Sequence, residues 1–102
     1  MSRSPTHRGL DPRDDVSKAA RIVRKARTAV AATQAQFAAL AGVPKGAVAN
    51  LEGGYVLSAR EGSRWPVLLE QARRILRAEP MVREALREGF VRARLERRGR
   101  RA

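Results

Sequence analysis

The chain has 102 residues, a length that suits one domain with loose ends. It carries 22 Lys and Arg against 10 Asp and Glu, a formal net charge of +12, and its 43% hydrophobic content is rich in alanine. The absence of cysteine excludes disulfides, thiol catalysis and thiolate metal sites, and a single histidine, His7, leaves a zinc site short of ligands.

No apolar run approaches the roughly 18 residues that a membrane span needs. The N-terminus has positive charge but no apolar core of the secretory kind. A cytoplasmic, nucleoid-associated protein (in host cytoplasm if phage-encoded) is therefore expected, with no membrane partner. There is no Ser/His/Asp set, no metal-ligand cluster and no phosphate-cradling glycine loop, so neither an enzyme nor a cofactor is expected. Aromatics are confined to Phe37, Tyr55, Trp65 and Phe90, and no run of β-branched and aromatic residues marks a strand. The expected fold class is all-α, a compact bundle of about five helices.

Charge is unevenly placed. Residues 1–32 carry +5, residues 33–58 carry zero from Lys45 and Glu52 alone, and residues 59–102 carry +7. A nearly neutral centre between basic flanks suits a specific contact element held by non-specific phosphate contacts.

Residues 1–13 mix Ser, Pro, Gly and arginines without periodicity and read as a flexible arm, which could place Arg3 and Arg8 in a groove or simply remain solvated. The first helix is expected from Asp14 or Asp15, whose carboxylates suit a helix N-terminus. Its buried stripe is Val16, Ala19, Ala20, Val23, Ala26 and Val30 at three- and four-residue steps, with Lys18, Arg21, Arg24 and Lys25 on the other side.

Thr33 caps the second helix, Gln34–Ala41, and Gln36 stands where it completes a capping box. Gly42 ends it through a left-handed backbone. Pro44 fits the first turn of the third helix, which runs to Leu51 or Glu52 and stops at Gly53-Gly54. Phe37, Ala38, Ala41, Val43, Val48 and Leu51 supply the apolar contacts between the two.

A loop of about ten residues, Tyr55 to Arg64, leads to a fourth helix with Ser63 as its cap. Trp65, Leu68, Leu69, Ala72, Ile75 and Leu76 form its apolar face, and Trp65 reads as a core anchor. Glu79-Pro80 breaks the pattern. A fifth helix from Pro80 is expected to turn Val82, Ala85, Leu86, Phe90 and Ala93 inward. Glu70–Arg74, Glu79–Arg83 and Glu88–Arg92 are spaced as i,i+4 surface pairs. Residues 94–102 form a basic, fraying tail, and its Arg94, Arg97, Arg98, Arg100 and Arg101 are candidate phosphate contacts. The domain proper is thus expected over 14–93.

The stretch Thr33–Gly54, TQAQFAALAGVPKGAVANLEGG, resembles the helix-turn-helix of the phage repressor/Cro (xenobiotic-response-element type) family of DNA-binding domains. The likeness rests on the Thr-Gln opening, small Ala38, the turn glycine Gly42, the hydrophobes Val43, Val48 and Leu51, and the Glu52-Gly53-Gly54 end. It covers about residues 16–78. It implies that Gln34 contacts a phosphate and that the third helix enters the major groove of a double-stranded DNA operator. The groove-facing residues would be Pro44, Lys45, Gly46, Ala47, Ala49 and Asn50.

Lys45 can donate to guanine O6/N7 or a phosphate, and Asn50 can bridge adenine N6/N7. Gly46 and the alanines stand where longer polar side chains are common in the family, and the loop after the third helix is longer than usual. Further contacts are therefore sought from Arg60 and Arg64 of that loop, from the arm, and from DNA shape. The resemblance implies a sequence-specific transcriptional regulator, a repressor of the phage-immunity or Cro-like kind. The alternatives are a non-specific or architectural nucleic-acid-binding protein, or the antitoxin of a toxin–antitoxin pair. A monomer and a homodimer, the latter paired through Phe90 and Val91, both remain open.

Overall fold

In the computed structural model, which describes residues 12–54 and 64–101, the chain forms five α-helices and, among those residues, no strand. They are α1 (Pro12–Ala29), α2 (Gln34–Ala41), α3 (Lys45–Glu52), α4 (Trp65–Arg77) and α5 (Pro80–Arg101). The all-α expectation holds. The predicted cap at Ser63 and the predicted arginines Arg3, Arg8 and Arg60 lie outside the described residues.

The periodic stripe of α1 becomes one wall of the core: Val16, Ala19, Val23, Ala26 and Val30 are all buried. Helix α4 packs along it through Leu68, Ala72 and Ile75, and α2 and α3 close the remaining side with Phe37, Ala38, Val48 and Leu51. Trp65, Leu69 and Leu76 pack against this core without being fully buried, so the anchor role read for Trp65 holds in part. Alanines in the centre let the helix axes approach closely, while Phe37, Leu68 and the valines fill the volume between them.

Local chemistry explains the ends of α2. Thr33 is extended, its hydroxyl accepts from the Gln36 amide at 3.0 Å, and the Gln36 side chain accepts from the Thr33 amide at 3.0 Å. This is the reciprocal capping box expected from the sequence. At the other end Gly42 is left-handed, with φ 75°. Its amide donates to Ala39 O at 3.2 Å and the Val43 amide to Ala38 O at 3.0 Å, closing the helix in the Schellman manner.

The structure departs from the expected elements in four places. Helix α1 begins at Pro12, where the fixed proline φ already suits a first turn. Pro44 is the extended residue before α3 rather than its first turn. Helix α5 does not stop near Ala93 but continues to Arg101, because the segment after Phe90 and Val91 is made almost entirely of Arg, Glu, Leu and Ala, with Gly99 as its one interruption. Its expected inward face is largely outward: Val82, Ala85 and Ala93 are exposed, and only Leu86 and Phe90 pack against the core.

None of the buried core residues comes from α5, so it lies on the four-helix unit rather than inside it. Of the three predicted surface pairs, Glu70–Arg74 forms at 3.6 Å. Arg83 instead donates to Ala78 O and, at 3.4 Å, to Leu76 O, satisfying carbonyls at the end of α4. No helix among the described residues is long and apolar enough to cross a membrane.

Candidate nucleic-acid interface

The turn Gly42-Val43-Pro44 joins α2 to α3, and Val43 tucks partly into the core while Pro44 stays exposed. Val48 and Leu51 anchor α3 from one side. What remains outward at its start is Pro44, Lys45 and Gly46, all exposed. No side chain caps this end of the helix and the Ala47 amide donates to Pro44 O at 3.0 Å, so the Lys45 and Gly46 amides are left for solvent or an incoming acceptor. Gly46 has an ordinary helical backbone, and a Cβ built there would meet nothing within 4 Å. Nothing inside the protein requires glycine at 46.

The other residues named from the sequence are placed less openly. Ala47 packs against the core and Ala49 and Asn50 are half-buried, so the fully open edge of α3 is shorter than expected. Gln34, the first residue of α2, is also half-buried, and its amide Nε2 donates to Glu52 Oε1 at 3.1 Å. Arg64 is half-buried just before α4, while Arg97 and Arg98 are exposed on α5. The structure therefore brings Gln34 close to the α3 terminus through Glu52, and leaves Arg97 and Arg98 on a separate helix.

Glu52 is the hub of the site and was read from the sequence only as part of a helix end. Its side chain is 2% exposed, and Arg27 of α1 meets it as a two-pronged pair: Nε to Oε2 at 2.7 Å and Nη2 to Oε1 at 2.8 Å. Arg24 adds a longer contact at 3.6 Å and donates to the Glu52 carbonyl oxygen at 3.1 Å, where a cation suits the negative end of α3. Arg27 also reaches back to Ala32 O at 3.1 Å. One carboxylate thus ties the end of α3 to α1 and α2, beside the apolar anchors Val48 and Leu51.

Burial alone would raise the Glu52 pKa. The donations from Arg27 and Gln34, with the charges of Arg27 and Arg24, outweigh it and hold the carboxyl below its ordinary value. The Arg27 guanidinium is pushed up by its hydrogen bond to Glu52, against a smaller opposing effect of burial. The sequence marks each of the two residues singly, though not their pairing. Arg27 follows Val23 by four residues and precedes Val30 by three, inside the apolar stripe, and Glu52 is the one acid in the nearly neutral centre.

A second polar cluster joins α5 to the start of α2. Gln36 Nε2 donates to Phe90 O at 2.9 Å, and Arg94 Nη1 donates to Gln36 Oε1 at 2.7 Å and to Ala31 O at 2.6 Å. Arg94, read from the sequence among the free tail arginines, is thus engaged within the protein. Ala31 lies in the α1–α2 turn with φ 56°, a left-handed conformation uncommon for a residue with a side chain.

Compared with family models, with curated proteins and with solved structures, the chain gives no match.

Proposed function

We infer that this protein is a DNA-binding transcriptional regulator, a repressor that occupies operator DNA by laying α3 in the major groove. The observation that carries this reading is the open, uncapped start of α3 at Pro44–Gly46, held rigidly by the Glu52 hub in a chain of net charge +12. The likeness of Thr33–Gly54 to the phage repressor/Cro family points the same way. Lys45 is the one exposed cation on that edge, and is assigned to a guanine edge or an adjacent phosphate. Gln34, whose amide is engaged by Glu52 at the far end of α3, keeps at most a secondary phosphate role at the α2 N-terminus, and Arg97 and Arg98 are assigned phosphate contacts.

One observation favours a second reading, that of a non-specific or architectural nucleic-acid-binding protein. The exposed edge of α3 offers a proline, a lysine and a glycine, so few side chains are available to distinguish bases. Binding to duplex DNA flanking the protein's own gene, set against a scrambled duplex of equal length at one salt concentration, separates the two. A preference of about a thousandfold or more is expected for a regulator. A ratio near one selects the second reading, and no binding to either duplex removes both.

A further inference from the structure

Helix α5 is an unusual appendage. It contributes no fully buried residue, yet the clasp of Gln36, Arg94, Phe90 O and Ala31 O fixes its middle to the start of α2. The order of these contacts gives its direction. Leu86 packs on the core, Phe90 meets the third residue of α2, and Arg94 reaches the turn that precedes α2. The helix therefore meets the body at the N-terminal end of α2, and the residues after Arg94 continue beyond that point. The residues that follow Arg94 carry four arginines against one glutamate, and Arg97 and Arg98 are exposed. At 1.5 Å per residue, Leu95–Arg101 project roughly 10 Å past the clasp.

We propose that Gln36 and Arg94 are positioning residues that turn the end of α5 into a fixed phosphate-binding extension of the α2 N-terminal edge, which grips the sugar-phosphate backbone of duplex DNA outside the groove occupied by α3. This rests on the DNA-binding reading above. Arg94 itself spends its guanidinium on Ala31 O and Gln36 Oε1, so its part is to hold the helix, and the contacts belong to the exposed Arg97 and Arg98. A helix held in place loses less freedom on binding than a loose tail of equal charge, so the same arginines bind more tightly when clasped.

The test is a double-mutant cycle on duplex binding by the full chain. Arg97→Ala with Arg98→Ala should weaken affinity about tenfold at moderate salt and lower the slope of log affinity against log salt by about 1.8. In an Arg94→Leu background the same pair of changes should cost less than about threefold, because the arm is already displaced. A fluorescent label at position 101 should also gain mobility in free Arg94→Leu protein, which should keep its helical circular dichroism and its cooperative thermal unfolding because the buried core lies in α1–α4 and the segments joining them. Equal losses in both backgrounds, or an immobile label in Arg94→Leu, would overturn the positioning role. Absence of duplex binding by the unmodified chain would overturn the DNA-binding reading itself, and the extension with it. Binding with additive losses would remove the extension alone.

Discussion

Glu52 gathers polar contacts from α1 and α2 on one buried carboxylate at the end of α3. Its carboxylate is removed from water and repaid by a paired guanidinium and an amide, an arrangement in which loss of one partner costs more than the interaction contributes net. Glu52→Gln should destabilise the domain by about 1–3 kcal/mol near neutral pH, measured by urea unfolding. The pH dependence has a definite sign. The folded pKa is below the ordinary 4.5, so the stabilisation is present above that value and is lost as pH falls through the lowered folded value. The gap between the two proteins should therefore narrow in acid; a gap independent of pH would show that the charge is not what matters. Gly46 poses the opposite case. It is helical and unobstructed, so Gly46→Ala should stabilise the protein by about 0.5–1 kcal/mol. If the α3 backbone approaches DNA closely, the same change should weaken duplex binding at least severalfold, and a mutant that gains on both counts would refute the close approach.

At the level of elements, α2 and α3 can pack because Ala38 is small and 2% exposed between them. Ala38→Glu buries an unpaired charge there and should unfold the domain or cost more than about 3 kcal/mol, read by circular dichroism and thermal melting. These elements were legible in the sequence because their signals are local: Thr33 and Gln36 for the capping box, Gly42 for the left-handed stop, and a strict apolar stripe on α1. What was not legible depended on partners far apart in the chain. Arg27 and Glu52 are 25 residues apart and Gln36 and Arg94 are 58 apart, and neither spacing carries a periodic signature. Helix α5 misled for a related reason. Its apolar residues have helical spacing, but the core is already filled by α1–α4, so only Leu86 and Phe90 find apolar surface to cover while Val82, Ala85 and Ala93 stay exposed. The half-burial of Ala47 and Asn50 likewise reflects how α3 packs on the other helices through Val48 and Leu51, which a wheel drawn on α3 alone does not contain.

Across the whole molecule, the proposed DNA binding would be divided by charge and shape between two parts with different consequences. The segment 33–58 has no net charge, and the flanks carry +5 and +7, so affinity and selectivity should come from different residues. Contacts to phosphate release counterions whatever the sequence, whereas a lysine at a base edge acts on only some sequences. Truncation after Leu95 removes four arginines and one glutamate without touching the clasp. It should lower the slope of log affinity against log salt by about 2–4 and weaken specific and scrambled duplexes by the same factor, leaving their ratio unchanged. Lys45→Ala should do the reverse, changing the slope by no more than about 0.9 while reducing the ratio by roughly tenfold. Titrations of both variants on both duplexes at three or four salt concentrations distinguish the cases. A ratio that collapses on truncation would place sequence reading on α5, and a ratio untouched by Lys45→Ala would move Lys45 to the backbone and leave shape as the remaining source of selectivity.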